Sequence, residues 1–378
     1  MSTTSAPPLT PQFPPLTKAH VDNCQFSAWQ KQYVKLYPKS RVVAPLPAEF
    51  VDYLLADGIS LPKSAFNLKY DVDEDMDLST NAANDEETSD DDDEIDFTKP
   101  FKDLHNEINR IIKDELNGAV MPKLNWSAPK DSVWISTTNT LKCHDAYEIY
   151  MLLKASSYIV HDLTESYTDC VDYDPTALDG NGDDTTAAAA LTSDDTDLAA
   201  SSQNFELVLR QWVAVNPALE FRCFVHNRAL IGITQRDMNY YDFLSPLQDR
   251  FAGEIEQFFE ENLQNTFADP DFVFDVYVPA PYDRVWLVDI NPFAPRTDSL
   301  LFAWEELLAI DPTDPEFEYD IRLQERENAS RTFGGTVHSE NYVPKDIVDA
   351  SLTGEGIAKL AKQWQSMMNM EDPGSDSD

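Results

Sequence analysis

Apolar residues recur at helical spacing in several stretches of the chain. In the clearest of them Leu104, Ile108 and Leu116 fall on one helix face, Asp103 can cap the start, and Gly118 can end the helix. A second amphipathic pattern, nearer the N-terminus, also ends at a glycine, Gly58. These patterns predict helices over 103–116, 144–156 and 248–267, a helix or turn-helix over 299–310, and a short helix that ends at Gly58.

Runs of β-branched and aromatic residues predict strands between these helices. Two pairs of runs flank short turns and indicate antiparallel hairpins, 219–237 with its turn near His226–Asn227 and 272–293 with its turn near Tyr282. Helices alternating with hairpin-paired strands are typical of an α+β fold with antiparallel sheet, here one unit of two lobes. Single strands are predicted over 119–126, 131–137, 157–163 and 204–215.

Three acidic segments interrupt or end this pattern. The stretches 71–96, 165–202 and 371–378 hold 14, 10 and 4 Asp or Glu residues and no Lys or Arg. Segments this charged cannot bury enough apolar surface to fold, so the first two are predicted to be disordered insertions. The predicted divisions are a flexible lead (1–18), an N-terminal lobe (19–70 and 97–164), a C-terminal lobe (203–310), and a C-terminal extension with an acidic tail (311–378) that carries an amphipathic helix around Trp364 and Met367.

The charge of the chain narrows the classes of partner. The net charge of the 378 residues is −40, and about −12 remains outside the three acidic segments. Such a field repels nucleic acids and anionic lipid, so we expect no direct nucleic-acid or membrane binding and favour a protein partner with a basic surface. The four cysteines form no CxxC pair, which disfavours a zinc site. With no signal-peptide pattern and no apolar run of about 18 residues, we expect a cytoplasmic protein. We also expect it to be a monomer.

The hairpin 272–293 carries one aspartate in each of its otherwise apolar strands. Asp275 and Asp289 each lie seven residues from Tyr282, so they should lie opposite or nearly opposite each other, with Asn291 on the same face as Asp289. Like charges directly opposite destabilise a ladder. Asp275 could face solvent or accept hydrogen bonds from neighbouring loops. Alternatively, the two carboxylates and the amide oxygen form the all-oxygen ligand set that Mg²⁺ prefers, often together with a nucleoside triphosphate.

A phosphate site also needs cations, and several basic residues lie within apolar segments. Each of them could instead form a salt bridge at the surface, and Arg222, inside a predicted strand, is the best candidate for a ligand. The chain has no GxxxxGK[ST] loop, no GxGxxG loop and no visible Ser-His-Asp or Cys-His signature, which excludes P-loop enzymes, dinucleotide-binding folds and protein kinases. The cationic candidates are Lys123, Lys130, Arg210, Arg222 and Arg236.

Five motifs in order make the chain resemble the eukaryotic cell division cycle protein 123 family. They are PKLNWSAPKD, LVLRQW, EFRCFV, IGITQRD and WLVDINPF followed by TDSLLFAWEEL, and the match covers roughly Phe26 to Leu308 apart from the two acidic insertions. The resemblance implies an ATP-grasp-like fold, in which two lobes with antiparallel sheets hold ATP and Mg²⁺ in a cleft. It also implies an assembly chaperone that binds the gamma subunit of translation initiation factor 2 and promotes its joining to the alpha and beta subunits, which supports cell-cycle progression.

The resemblance also implies roles for particular residues. Asp275, Asp289 and Asn291 match the magnesium ligands, Lys123 matches the lysine that reaches the phosphates, and Arg222 would face the phosphates. The 126–128 loop would cover the nucleotide, and LVLRQW would line the adenine cleft as the hinge. The implied cofactor-binding set is Lys123, Trp126, Ser127, Ala128, Leu209, Arg210, Trp212, Arg222, Asp275, Asp289 and Asn291.

Two features leave other functions open. ATP-grasp enzymes carry a second lysine before the hinge, which NFELVLRQW lacks, so Lys154 or Arg210 must substitute for it. An ATP-grasp ligase would activate a carboxylate as an acyl phosphate and would need its own cationic anchor, for which Arg296 is the candidate. In a third reading the protein is an acidic scaffold whose nucleotide site is vestigial.

Overall fold

The computed structural model describes residues 12–58, 97–174 and 204–326. The predicted insertion 71–96, most of 165–202, and the tail with the helix predicted around Trp364 lie outside the described residues. None of the helices within these three stretches has the length and hydropathy needed to cross a bilayer.

Eight α-helices and eight strands follow one another within the described stretches. Helices and strands alternate, with strands paired in antiparallel hairpins, so the predicted α+β class is confirmed. In chain order they are α1 (Lys18–Asn23), α2 (Phe26–Trp29), β1 (Ser40–Val43), α3 (Ala48–Leu55), α4 (Lys102–Arg110), β2 (Val120–Lys123), α5 (Ala146–Lys154), α6 (Ser157–Thr164), β3 (Leu207–Gln211), β4 (Glu220–His226), β5 (Ala229–Gln235), α7 (Gln248–Asn262), β6 (Phe272–Tyr277), β7 (Trp286–Pro292), α8 (Trp304–Ala309) and β8 (Asp320–Arg322).

The N-terminal lobe is a three-stranded antiparallel sheet with helices on one face. Its strand order is β1-β3-β2, so β3 is the central strand. Leu207 and Leu209 of β3 are fully buried against α3–α6, in a core that includes Tyr150. After α4 the helix continues for one π-helical turn, and this helical segment ends at Gly118. The φ of Gly118 is 76°, in the left-handed region that glycine adopts without strain. The predicted helix and its terminating glycine are therefore confirmed.

The C-terminal lobe is a five-stranded sheet in the order β7-β6-β4-β5-β8. Helix α7 buries Phe251, Ile255 and Phe259 against one face, as its apolar spacing predicts, and α8 buries Leu307 in a smaller cluster. Both predicted hairpins are present, β4–β5 and β6–β7. The first hairpin turns at Asn227 and Arg228, which have φ of 52° and 61°. Strand β8 was not predicted, and it pairs in parallel with β5.

Two predicted strands are helical in the structure. The 131–137 run falls largely on a 3₁₀ helix, Lys130–Ile135, and the 157–163 run lies in α6. Helix α6 forms because the Ser156 hydroxyl accepts a hydrogen bond from the Ile159 amide at 3.3 Å, and because Ile159 and Leu163, four residues apart, are buried on one face. Short apolar runs do not separate strand from helix by periodicity alone, which explains the error.

Two segments pack differently from the predicted divisions. Residues 165–174, assigned to a disordered insertion, form packed turns in which Cys170 is buried and the Val171 amide donates to the Leu16 carbonyl at 2.8 Å. Residues of α2 and the turn after it, assigned to the N-terminal lobe, contribute Phe26 and Trp29 to the core of the C-terminal sheet. The two lobes are therefore joined by shared apolar packing as well as by the chain.

Candidate functional site

The aspartates of the β6–β7 hairpin face each other where the two sheets meet. Asp275 and Asp289 are Cα partners in the antiparallel ladder, and Asn291 stands opposite Val273, two positions away. Their predicted register is confirmed, because a hairpin pairs residues at equal distances from its turn. A bulge follows directly, between Asp275 and Val276. The side chain of Asp275 is 2% exposed and that of Asp289 is 20% exposed.

Two arginines of neighbouring strands neutralise Asp275. Arg222, its partner across the β4–β6 ladder, donates from Nε at 2.7 Å and from Nη2 at 2.9 Å, one bond to each carboxylate oxygen. Arg236, which follows β5, places Nε 3.1 Å from Oδ2. Burial alone would raise the pKa of Asp275, but the two guanidinium groups outweigh it and hold that pKa well below its usual range. Asp275 is therefore ionised and paired.

A lysine from the other lobe neutralises Asp289. Lys123 ends β2 and is only 1% exposed, and its Nζ donates to the two oxygens of Asp289 at 2.6 and 2.7 Å. The third proton of the amine is directed to the Trp126 carbonyl at 2.5 Å. All three donors of this buried ammonium are thus used, which compensates for its loss of hydration. The facing carboxylates are stable because each has its own cation.

Arg210 of β3 forms a second link between the lobes. Its Nη1 donates to the Val288 carbonyl on β7 at 2.7 Å, and its guanidinium lies 5.6 Å from the ring centroid of Phe26. Lys154, the other candidate for the second cation, instead donates to the Tyr53 and Ala56 carbonyls at 2.5 and 2.6 Å. The structure therefore brings Arg210 to the site and keeps Lys154 away from it.

Several polar atoms around the carboxylates are buried without a hydrogen-bond partner. They include Nε of Arg210 and Nδ2 of Asn291. Unpaired buried donors are costly in a folded protein and point to a ligand that satisfies them. The amide group of Asn291 can present either its nitrogen or its oxygen by rotation, so it can also serve as a neutral oxygen ligand. This donor set fits a metal–phosphate group.

The loop after β2 is held over the site by a carboxylate that the sequence did not single out. Oδ2 of Asp162 accepts from the amides of Ser127 and Trp126 at 2.7 and 3.3 Å, and Oδ1 accepts from Ser127 Oγ at 2.7 Å. Asp162 is 3% exposed, and burial raises its pKa to about 6 against the opposing effect of these hydrogen bonds. It was missed because its segment was interpreted as a strand.

Lys130, predicted only as a candidate cation, interacts electrostatically with the charged groups of the site. Burial and then the charge of Arg236 lower its pKa to about 8, whereas Glu220, Asp275 and Asp289 act in the opposite direction. Its amine therefore shares the environment of both carboxylates. An anion that binds beside this lysine would raise its pKa and keep its amine charged at neutral pH.

Four of the predicted residues pack in or against the N-terminal core or are already paired. Leu209 points its side chain into the N-terminal core, and its backbone lies in the centre of the sheet, between Arg41 and Pro122. Trp212 packs against the same core. Arg296, the anchor considered for a ligase substrate, pairs with Asp169. Ala128 lies in the loop that Asp162 holds, half-buried against the N-terminal core.

Within residues 12–58, 97–174 and 204–326, no cluster of three or more His, Cys, Asp or Glu side chains is arranged to bind a metal ion. The candidate set at the hairpin contains two carboxylates, and its third member is an amide. Such a sparse set suits Mg²⁺, which keeps water or phosphate oxygens in its remaining positions.

The chain is similar to a family of known proteins over most of its length. The family model described as D123 matches residues 29–351. Cell division cycle protein 123 of Yarrowia lipolytica is 44% identical over 94% of this chain and 86% of its own length. The translation initiation factor eIF2 assembly protein of Aspergillus niger is 44% identical over 97% of this chain and 92% of its own length.

Solved structures show the same fold. The C-terminally truncated Cdc123 from Schizosaccharomyces pombe is 38% identical and superimposes with a TM-score of 0.63, covering 83% of this chain and 100% of that chain. The structure of Cdc123 from the same organism, at 37% identity, gives a TM-score of 0.62.

Proposed function

The chain belongs to the D123 family, and from this membership and the charged site we propose that it promotes assembly of translation initiation factor eIF2 by binding the gamma subunit. ATP and Mg²⁺ are the proposed ligands of the site between its lobes. Relatives named eIF2 assembly protein align with nearly the whole chain, at 44% identity for the one from Aspergillus niger. We infer a cytoplasmic location, since translation initiation takes place in the cytoplasm. We also propose that the protein is a monomer with an indirect role in cell-cycle progression.

The observation that carries the nucleotide proposal is the paired network at the hairpin. Lys123 with Asp289, and Arg222 with Asp275, place two cations and two carboxylates in a buried junction in which only Asp289 is partly exposed. Mg·ATP offers a partner of opposite sign to each of these groups, so binding would leave no charge uncompensated. The unpaired Nε of Arg210 is a further donor for an anion.

In the proposed complex Asp275, Asp289 and Asn291 would hold Mg²⁺, while Lys123 and Arg222 would face the phosphates. Mg²⁺ would supply positive charge that neutralises the phosphates and compensates the carboxylates that hold it. Since these residues belong to β2 of one lobe and to β4, β6 and β7 of the other, a bound nucleotide would link the two lobes. A linked pair of lobes is a more rigid platform for a partner subunit.

No observation favours the ligase alternative. The one cation considered as an anchor for a second substrate, Arg296, is paired with Asp169 and lies 3.8 Å from Glu165. A ligase would also release ADP in the presence of a carboxylate substrate. Absence of ADP release with small carboxylic acids, under conditions where Mg·ATP binds, would support the chaperone function.

Two measurements test the proposal. Calorimetry of the full chain with ATP should show binding that requires Mg²⁺. Mixing purified alpha, beta and gamma subunits should then yield more heterotrimer, measured by size-exclusion chromatography, when the protein and Mg·ATP are present.

Asp289→Asn should lose both effects. Asp271→Asn is the matched control, because Asp271 accepts from His226 at 2.7 Å on the same sheet but takes no part in the site. Equal heterotrimer yield with and without the protein would contradict the assembly role. Failure of the wild type to bind Mg·ATP would contradict the nucleotide site alone.

A further inference from the structure

A buried carboxylate outside the proposed ligand set controls the loop beside it. Asp162 receives three hydrogen bonds from two consecutive residues, Trp126 and Ser127. Two come from peptide N–H groups and one from a hydroxyl. A charged acceptor that binds both neighbouring peptides fixes the orientation of the peptide planes, which a single bond would leave free to rotate.

The same loop sets the direction of the lysine in the site. The carbonyl of Trp126 accepts from Lys123 Nζ at 2.5 Å, and that amine is the one bound to Asp289. The residue whose amide Asp162 holds is therefore also the residue whose carbonyl receives the lysine. If the loop rotated, Lys123 would lose one of its three acceptors.

The helix that carries Asp162 is itself tied to the hairpin of the other lobe. Helix α6 runs directly into residues 165–169, where Asp169 pairs with Arg296. Arg296 lies five residues after Asn291, at the end of the hairpin. The hairpin is therefore connected to α6 through the Arg296–Asp169 pair. Helix α6 is connected to the loop through Asp162, and the loop is connected through Lys123 back to Asp289 of the hairpin.

We propose that Asp162 is a positioning residue of this site, which holds the 126–128 loop and the Lys123 amine in the arrangement that binds the nucleotide. The inference rests on the proposed function for the identity of the ligand, Mg·ATP. Nothing in this role requires Asp162 to touch the nucleotide. Both of its carboxylate oxygens accept hydrogen bonds from the loop.

A purely structural role for Asp162 makes a different prediction. In that case its loss would lower the melting temperature and leave the affinity of the folded protein unchanged. Asp269 provides the matched comparison, because it is also buried, at 8% exposure, and accepts two bonds from Asn23 at 3.2 Å. Burial raises the pKa of Asp269 as well, but Asp269 does not contact the loop.

The experiment measures Mg·ATP affinity by calorimetry on full-length wild type, Asp162→Ala, Asp162→Asn and Asp269→Ala. Asp162→Ala should weaken binding by about tenfold or more, the equivalent of one hydrogen bond to a charged group. Asp162→Asn should recover most of the affinity, because its amide oxygen can still accept from both peptide N–H groups while its NH₂ donates to Ser127 Oγ. Asp269→Ala should keep the affinity for Mg·ATP within about twofold of wild type, even if its melting temperature falls as much as that of Asp162→Ala.

Hydrogen exchange of the peptide that spans Trp126 and Ser127, followed by mass spectrometry, tests the loop without any nucleotide. Exchange should be faster in Asp162→Ala than in wild type and unchanged in Asp269→Ala. Wild-type affinity in a folded Asp162→Ala variant would overturn the proposal, and so would unchanged exchange of this peptide. If wild type bound no Mg·ATP, the proposed nucleotide site would be refuted. The exchange measurement would still decide whether Asp162 anchors the loop.

Discussion

Replacing Asp289 by alanine should destabilise the protein even when no nucleotide is added. The carboxylate accepts two hydrogen bonds from Lys123, a residue only 1% exposed. The sequence suggests the opposite result, because two aspartates face each other across a ladder and removal of one would relieve their repulsion. The structure reverses the expected sign of the stability change, because the substitution leaves the buried Lys123 ammonium without its carboxylate partner.

The size of the effect follows from the burial of the two partners. Removing one member of a buried ion pair costs about 3–5 kcal/mol. The Asp289 side chain is 20% exposed, so water can reach part of the gap, and we expect the lower end, about 3 kcal/mol. Relief of repulsion from Asp275 offsets less than about 1 kcal/mol, because Asp275 is already paired with Arg222 and Arg236.

Urea unfolding at pH 7 of wild type, Asp289→Ala, Lys123→Met and the double variant measures this. Each single variant leaves one charge without its partner, whereas the double variant removes both. The double variant should therefore be more stable than the sum of the two single losses predicts, by about 2 kcal/mol or more. An Asp289→Ala protein at least as stable as wild type, or additive losses in the cycle, would refute the reasoning.

Four further predictions concern the charges and boundaries described above. Arg222→Met should lower the free energy of unfolding by about 3 kcal/mol or more at neutral pH. Because the folded-state pKa of Asp275 is held low, the difference between wild type and variant should shrink as the pH is lowered below about 4. Burial raises the pKa of Asp162 to about 6, so folding favours its protonated form. As the pH rises from about 4 to 6, the free energy of unfolding of wild type should therefore fall by about 3 kcal/mol relative to that of Asp162→Asn, measured by denaturation at each pH. Deleting residues 165–174, which pack Cys170, should lower stability by more than about 2 kcal/mol in the same assay. Raising ionic strength from roughly 0.05 to 0.5 M should slow association with the gamma subunit more than it speeds dissociation, as followed by surface plasmon resonance; an unchanged association rate would rule out steering by the acidic chain.

Local sequence was sufficient wherever pairing or packing is local. The spacing around Leu104 and Phe251 predicted helices that the structure contains, because one apolar face of a helix repeats within a few residues. The register of Asp275 and Asp289 could also be predicted, since a hairpin turn sets the pairing of its own strands. The short run around Asp162 was misassigned, because seven residues do not separate a strand from a buried helix.

Only the tertiary structure decided which cation neutralises which carboxylate. Lys123 and Asp289 are 166 residues apart in the chain, and Arg222 and Asp275 are 53 apart. No periodicity connects positions so distant. Arg222 and Asp275 meet because β4 pairs with β6 within one sheet, and Lys123 and Asp289 meet because the two lobes contact each other. For the same reason the sequence could place Asp275 and Asp289 opposite each other, yet it could not show that each is already paired. The sign of their effect on stability depends on those long-range partners, and therefore on the fold.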